Sequence, residues 1–306
     1  MHVVTPISHL KAIRYICSMM NAYRFLYFVF ALFALPFACS KDNALFQVEN
    51  LNGNTISAFG HAGMGIAFMY PINSYESIEP CLRIGADGTE MDIQMTKDSV
   101  LIVFHDRDLN EGSLCSGVIN DKFWSEIWGC HHANPYSHQV KILSFRGMMD
   151  DLLAAGYDIQ KYVFTLDIKL YTNTLNYYAY LDQFANAIIR EADDYSLADN
   201  IMIESADTMF LRMLQQKRSD LKLMLYTFDF EKGLSAAQVM NLHGITTHLD
   251  KITTEQMRTA HDDGLRVALW GIKTNEDDLR AIEKSPDYIQ SDKIIHLLKL
   301  FGKYKE

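Results

Sequence analysis

The segment "GTEMDIQMT", residues 88–96, carries two carboxylates, Glu90 and Asp92, in a stretch otherwise suited to a buried strand. Extended chain alternates its side chains, so Glu90, Asp92 and Gln94 share one face, and Thr89, Met91, Ile93 and Met95 share the other. In "YVFTLDIK", residues 162–169, the same alternation puts Asp167 and Lys169 with Thr165, opposite Phe164, Leu166 and Ile168. Glu90, Asp92 and Asp167 together offer oxygen ligands that suit Ca²⁺ or Mg²⁺ and suit zinc poorly. On spacing alone, an ion-pair cluster around Lys169 is the competing reading. His61 ends "TISAFGH", and His105 ends the run "VLIVFH" before Asp106. Two imidazoles beside a carboxylate cluster suit general acid and base work on a phosphate ester bound by a cation. Glu204, at the end of "NIMIES", is a further candidate ligand.

Such residues must be brought together by the elements that carry them. Short apolar runs alternate with helix-length segments over residues 50–302, an α/β rhythm. The strand candidates are "TISAFGH", "GTEMDIQ", "VLIVFHD", "YVFTLDIK", "NIMIES", "LKLMLYTF", "GITTH", "RVALWGI" and "DYIQSD". The second and third are separated only by the turn around Asp98, too short for a parallel crossover, so they form an antiparallel hairpin. The remaining count is that of a (β/α)₈ TIM barrel with a β-hairpin at strand 2, whose polar inner face at one end is an active mouth. A two-residue turn in the hairpin sets His105 opposite Asp92 or Glu90, depending on register, whereas a turn of odd length sets it on the methionine face. Pro80 predicts a kinked or shortened helix after Asn73.

The bulk numbers are compatible with this. With 306 residues and 49% hydrophobic side chains the chain can bury a barrel-sized core. Its 38 acidic and 28 basic residues give a net charge of −10, which disfavours nucleic acid as a partner and favours a cation. Near the N-terminus, Arg24 precedes the apolar run "FLYFVFALFALPFA", too short for a transmembrane span and suited to a secretory signal. "LPFACSKDN" resembles a bacterial lipoprotein signal with Cys39 as the acylated first residue; ordinary signal cleavage is the alternative. Removing residues 1–38 takes away Lys11, Arg14 and Arg24 and no acid, which moves the net charge from −10 to −13. The expected organisation is a signal over 1–38, a tether over 39–54, and one barrel domain over 55–302 with an insertion at about 107–145. Cys115 and Cys130 flank a loop-like stretch in that insertion and read either as a disulfide or as two separate thiols. The histidines of "CHHANPYSH" read as a solvated loop.

Several motifs, in order, resemble the glycerophosphodiester phosphodiesterase family of PLC-like barrels. "HAG" at 61–63 stands for the family's His-Arg-Gly, and "PINS" at 71–74 for its Pro-Glu-Asn-Thr. "GADGTEMDIQMTKDS" and "FHD" follow the family's Gly-Ala-Asp, Glu-x-Asp, Thr-Lys-Asp-Gly and His-Asp segments. "FTLDIKL" is similar to its Glu-x-Lys strand, with Asp167 for Glu, and "RVALWGIKTNEDD" and "DYIQSDK" to its last two strands. The resemblance covers about residues 55–298.

It implies metal-dependent hydrolysis of glycerophosphodiesters to sn-glycerol 3-phosphate and an alcohol. His61 and His105 become the acid/base pair, Glu90, Asp92 and Asp167 the ligands of a divalent cation, Ca²⁺ or Mg²⁺, and Lys169 the phosphate's cation. Asn73 would orient the phosphate or a ligand carboxylate, and Trp270 would pack on the glycerol carbons. Two positions depart from the family, Ala62 for arginine and Ile72 for glutamate. The alternatives are a phospholipid or phosphoinositide headgroup phosphodiesterase, and a non-catalytic phosphodiester-binding lipoprotein. The expected location is the bacterial cell envelope, with the protein held to a membrane through a lipid anchor.

Overall fold

The structure, a computed structural model, describes residues 48–134 and 139–306. The expected signal over residues 1–38 and Cys39 therefore lie outside the described residues. All nine strand candidates form: β1 Ser57–Gly60, β2 Gly88–Met95, β3 Leu101–Val103, β4 Val163–Ile168, β5 Ile201–Ser205, β6 Lys222–Tyr226, β7 Gly244–His248, β8 Arg266–Ile272 and β9 Tyr288–Ser291. The order is β1-β9-β8-β7-β6-β5-β4-β2-β3, and a parallel β1–β2 pairing closes the ring. β3 alone is antiparallel, hanging from β2 outside the closed barrel. The result is the expected eight-stranded parallel (β/α)₈ barrel with a hairpin at strand 2.

Alternation along each strand explains both core and mouth. The outer faces, with Ile93, Leu166, Ile203 and Val267, are buried together with helix residues such as Phe145, Phe184 and Leu211. Inside the barrel, Phe59, Met202, Met224 and Ala268 form an apolar plug. Two residues further along the same strands, on the same face, stand His61, Glu204, Tyr226 and Trp270. The interior thus passes from hydrocarbon to polar groups within one strand repeat, so the apolar plug is also the floor of the mouth. The helix Tyr75–Arg83, which follows the first loop, contains Pro80 and is only nine residues long.

Three expectations are corrected. The hairpin pairs Ile93 with Val103 and Met95 with Leu101, so its turn is Lys97-Asp98-Ser99, of odd length, with Ser99 left-handed at φ 61°. Neither even register occurs; the Phe104 amide donates to the Asp92 carbonyl instead. His105 nonetheless lines the mouth, because β3 stops at Val103 and strand alternation no longer governs the following residues. Residues 48–54 are not a free tether. Glu49 bridges to Thr55, the Asn50 amide donates to Asp287, and the Leu51 amide donates to the Ser285 hydroxyl. A polar stretch rich in Asn and Gly reads as linker locally, but its partners come more than 230 residues later. Finally, His132 is buried against the Phe104 ring, and burial pushes its imidazole down to about 4.

The insertion has its own small core, in which Ile102 and Phe104 of the hairpin arm meet Leu109, Ile119, Ile127 and Ile142. Cys115 and Cys130 form a disulfide. Closing a loop of 15 residues contributes about 3 kcal/mol on the chain-entropy account. The hairpin arm and insertion therefore form one braced unit, from which His105 is presented.

Candidate active site

A cavity of about 290 Å³ opens at the carboxyl ends of the strands. It is lined by His61, Glu90, Asp92, His105, Asp167, Lys169 and Trp270, and also by Glu204, Tyr226, Lys273 and Gln290. Of the residues singled out for the site, Asn73 alone among those described is not on its wall.

The strand register makes the carboxylate cluster. Asp92 pairs laterally with Asp167, and Asp167 with Glu204, so three neighbouring strands present acids at one level. Glu90 lies one inward position below Asp92. Ligand oxygens of Glu90, Asp92 and Asp167 all lie within 4.8 Å of one another. Lys169 donates to Asp167 at 2.7 Å and contacts Asp92 at 2.9 Å. Asn73 supplies both atoms of its amide to Asp92: Nδ2 donates to Oδ2 at 2.6 Å, and Oδ1 accepts the Asp92 backbone N–H at 3.0 Å. It does so from a left-handed backbone, φ 64°, which Asn tolerates better than most residues. Asn73 thus orients the Asp92 carboxylate, and its side-chain amide is committed away from a phosphate.

The energetics of this cluster are unbalanced. Burial, together with the charges of Asp92 and Asp167, holds the Glu90 carboxyl well above the usual carboxylate range. Burial also raises Asp167, and burial with the Asp167 charge pushes Glu204 up to about 7 despite hydrogen bonds from Gln290 and Thr246. At Asp92, burial is outweighed by Lys169, His105 and Asn73, which hold it low. Burial disfavours the Lys169 ammonium, but Asp92 and Asp167 outweigh it and raise its pKa. Lys169 is the one ammonium ion-paired with this cluster of four buried or half-buried acids, and adding a divalent charge among all-oxygen donors would relieve the repulsion. The donor set therefore fits a hard divalent cation.

The two histidines are held differently. His61 Nδ1 donates to the nearly buried Asp292 at 2.8 Å, while Nε2 lies 4.0 Å from Glu90. Burial disfavours the imidazolium, but Asp292 and Asp92 outweigh it, and the His61 pKa is raised. His105 Nδ1 pairs with Asp106 at 2.7 Å at the more exposed rim. Asp292 was not singled out from the sequence; its signal was its place in "QSDK", immediately after the last strand, at the catalytic end of a barrel.

Trp270 stacks on Tyr226 with ring centroids 5.6 Å apart, and His248 packs edge-on at 4.7 Å. A Cβ at Gly271 would come within 2.3 Å of the His248 ring, so glycine at φ 81° lets this aromatic wall form. At the two departures from the family pattern, Ala62 is fully buried with its amide donating to Glu90 Oε2 at 2.9 Å, and Ile72 precedes Asn73, whose amide donates to the Ala62 carbonyl. The 62–73 loop reaches the acids through its backbone and Asn73.

A sequence model of the glycerophosphoryl diester phosphodiesterase family matches residues 61–296. The chain belongs to this family. It is a phosphoric diester hydrolase, and His61 stands at the first matched position. Its sequence is similar to a glycerophosphodiester phosphodiesterase of Caldanaerobacter subterraneus subsp. tengcongensis, 22% identical over 238 residues, which cover 76% of this chain and 93% of that one. The fold is similar to that of a glycerophosphodiester phosphodiesterase from Parabacteroides distasonis, with TM-score 0.68, 15% identity, and coverage of 81% of this chain and 98% of the other. It is also similar to an Oleispira antarctica phosphodiesterase solved in complex with the product sn-glycerol 3-phosphate, with TM-score 0.70, 14% identity, and coverage of 80% and 96%.

Proposed function

We propose that glycerophosphodiester hydrolysis to sn-glycerol 3-phosphate and an alcohol depends here on a divalent cation, Ca²⁺ or Mg²⁺, held by Glu90, Asp92 and Asp167. The observation that carries this reading is the meeting of those three acids with His61 and His105 around one cavity. When bound, the cation would polarise the phosphoryl oxygens and offset their charge. Lys169, fixed between Asp92 and Asp167, presents a second positive charge to the phosphate. Trp270 offers a flat apolar wall to the glycerol carbons.

His61 and His105 divide the proton transfers. Asp292 favours the imidazolium of His61, which suits it to protonate the leaving oxygen as the phosphorus–oxygen bond to the alcohol breaks. His105, oriented by Asp106, takes the proton from the attacking oxygen as the new phosphorus–oxygen bond forms; where that oxygen is the neighbouring glycerol hydroxyl rather than water, a water then opens the resulting cyclic phosphate to sn-glycerol 3-phosphate. The protein is proposed to act at the cell envelope, exported through residues 1–38 and anchored at Cys39. The apolar run ending at that cysteine supports this placement.

Leaving-group dependence tests the division of labour. His61→Ala should lower kcat by about 10² to 10⁴ on glycerophosphocholine and much less on a diester with a p-nitrophenolate leaving group, which needs no proton. His105→Ala should be impaired on both. Equal losses for His61→Ala on the two substrates would remove His61 as the proton donor.

A further inference from the structure

A second concavity, about 380 Å³, opens between the loop after β1 and the last helix, Ile294–Leu300. Ala67, Phe68 and Ile295 supply apolar surface. Lys293, His296 and Lys299 line it as well. Neither lysine is in an ion pair among the described residues, and Lys299 lies over the Tyr304 ring at 4.9 Å. The buried Asp278 accepts from His296 Nδ1 at 2.7 Å and fixes the ring, leaving Nε2 as its remaining polar atom. The acid on this wall, Asp292, directs Oδ1 to His61 and to the Ile66 amide, toward the phosphodiesterase cavity.

The sequence around this cleft has a bias opposite to that of the chain. Residues 293–305, "KIIHLLKLFGKYK", contain four lysines and no acid, in a protein with an excess of ten acids. One of the four, Lys303, is neutralised by Asp87. An apolar cleft rimmed by two lysines that are in no ion pair among the described residues is complementary to a hydrocarbon chain that ends in an anion. A bare anion would leave the apolar wall in water, and a neutral hydrocarbon would leave the cations unused.

We propose that this cleft binds a single-chain anionic amphiphile, with the chain against Ala67, Phe68 and Ile295 and the head at Lys293, His296 and Lys299. The site is distinct from the phosphodiesterase cavity and does not depend on the reading of that cavity. The two share a wall, since Ile66 lines the catalytic cavity and its neighbour Ala67 lines the cleft.

Calorimetric titration of the full chain with decyl phosphate, kept below its aggregation concentration, tests this against inorganic phosphate and decanol. Decyl phosphate should bind at least about tenfold more tightly than either. Lys293→Glu/Lys299→Glu and Ala67→Trp should each weaken it by about tenfold or more. Ala67 is exposed, so the indole can fill the cleft from outside, and an unchanged thermal melt would show the fold kept. Absence of binding by the parent, equal affinity for inorganic phosphate, or affinity unchanged in both variants would overturn the proposal. Flotation with phosphatidylglycerol and phosphatidylcholine vesicles separates the two sources of such a ligand. If the lysine variant lost only its preference for phosphatidylglycerol vesicles and still bound decyl phosphate as the parent does, the patch would be a bilayer contact and the cleft assignment would be wrong.

Discussion

Asp292 accepts a hydrogen bond from His61 Nδ1 at 2.8 Å, across 231 residues of sequence. The same oxygen accepts the Ile66 amide at 3.2 Å, so the loop that follows His61 is tied to the carboxylate that orients it. A histidine held in this way has one nitrogen committed and the other free for chemistry, which is the arrangement a proton donor needs.

Asp292 raises the His61 pKa, so the imidazolium persists to higher pH and a rate that needs it falls as pH rises through the raised value. Asp292→Asn should lower kcat by about 10² and move the alkaline fall of the kcat profile to lower pH. A profile whose alkaline limb is unmoved would mean that His61 is not the donor, whatever the loss in rate.

Asn73 supports a different prediction. Its amide holds Asp92 through two hydrogen bonds, so it acts on the substrate only by way of the carboxylate. Asn73→Ala should weaken apparent cation affinity by about 10- to 100-fold. At saturating cation KM should remain close to that of the parent. A higher KM with unchanged cation dependence would return Asn73 to direct contact with the phosphate.

Stability rests on the opposite end of the barrel. Asp287 is buried and accepts from His261, Arg266, the Val267 amide and Asn50. Burial alone would raise its pKa, but His261, the Val267 amide and Arg266 outweigh it and hold it below the usual value. A depressed folded-state pKa means that the stabilisation is present above the unfolded value and is lost as pH falls through the folded one. Asp287→Asn should therefore cost about 3 kcal/mol at neutral pH, with the deficit shrinking as the carboxylate range is crossed. Urea unfolding of both proteins across that range measures it. A deficit independent of pH would show that the carboxylate charge contributes nothing.

These residues also mark how far the sequence alone could be read. Alternation placed Glu90 with Asp92 and Asp167 with Lys169, because strand period is local and apolar floors such as Phe59 and Met224 sit two residues below the polar groups. What failed was whatever distant partners decide. No Asn-Gly marks the turn at Lys97-Asp98-Ser99, so its three-residue length, fixed by the Val100 amide donating to Thr96 Oγ1 and by left-handed Ser99, could not be derived from the pattern. "ENLNGN" looks like a linker until Asn50 meets Asp287, and nothing in the local pattern pairs Asp292 with His61. Asn73 was noticed for its motif, but which of two ligands its amide would take depended on a loop conformation with φ 64°.

Three carboxylates are proposed to hold the cation on which turnover depends. The most direct test follows release of sn-glycerol 3-phosphate from glycerophosphocholine by the purified protein and by Asp92→Asn, after chelation and again after add-back of Ca²⁺ or Mg²⁺. Chelation should abolish turnover by the parent, and one of the two cations should restore it. Asp92→Asn, folded by its thermal melt, should stay inactive at every cation concentration. Turnover that survives both chelation and Asp92→Asn would refute cation dependence and leave Glu90, Asp92, Asp167 and Lys169 as a structural ion-pair network.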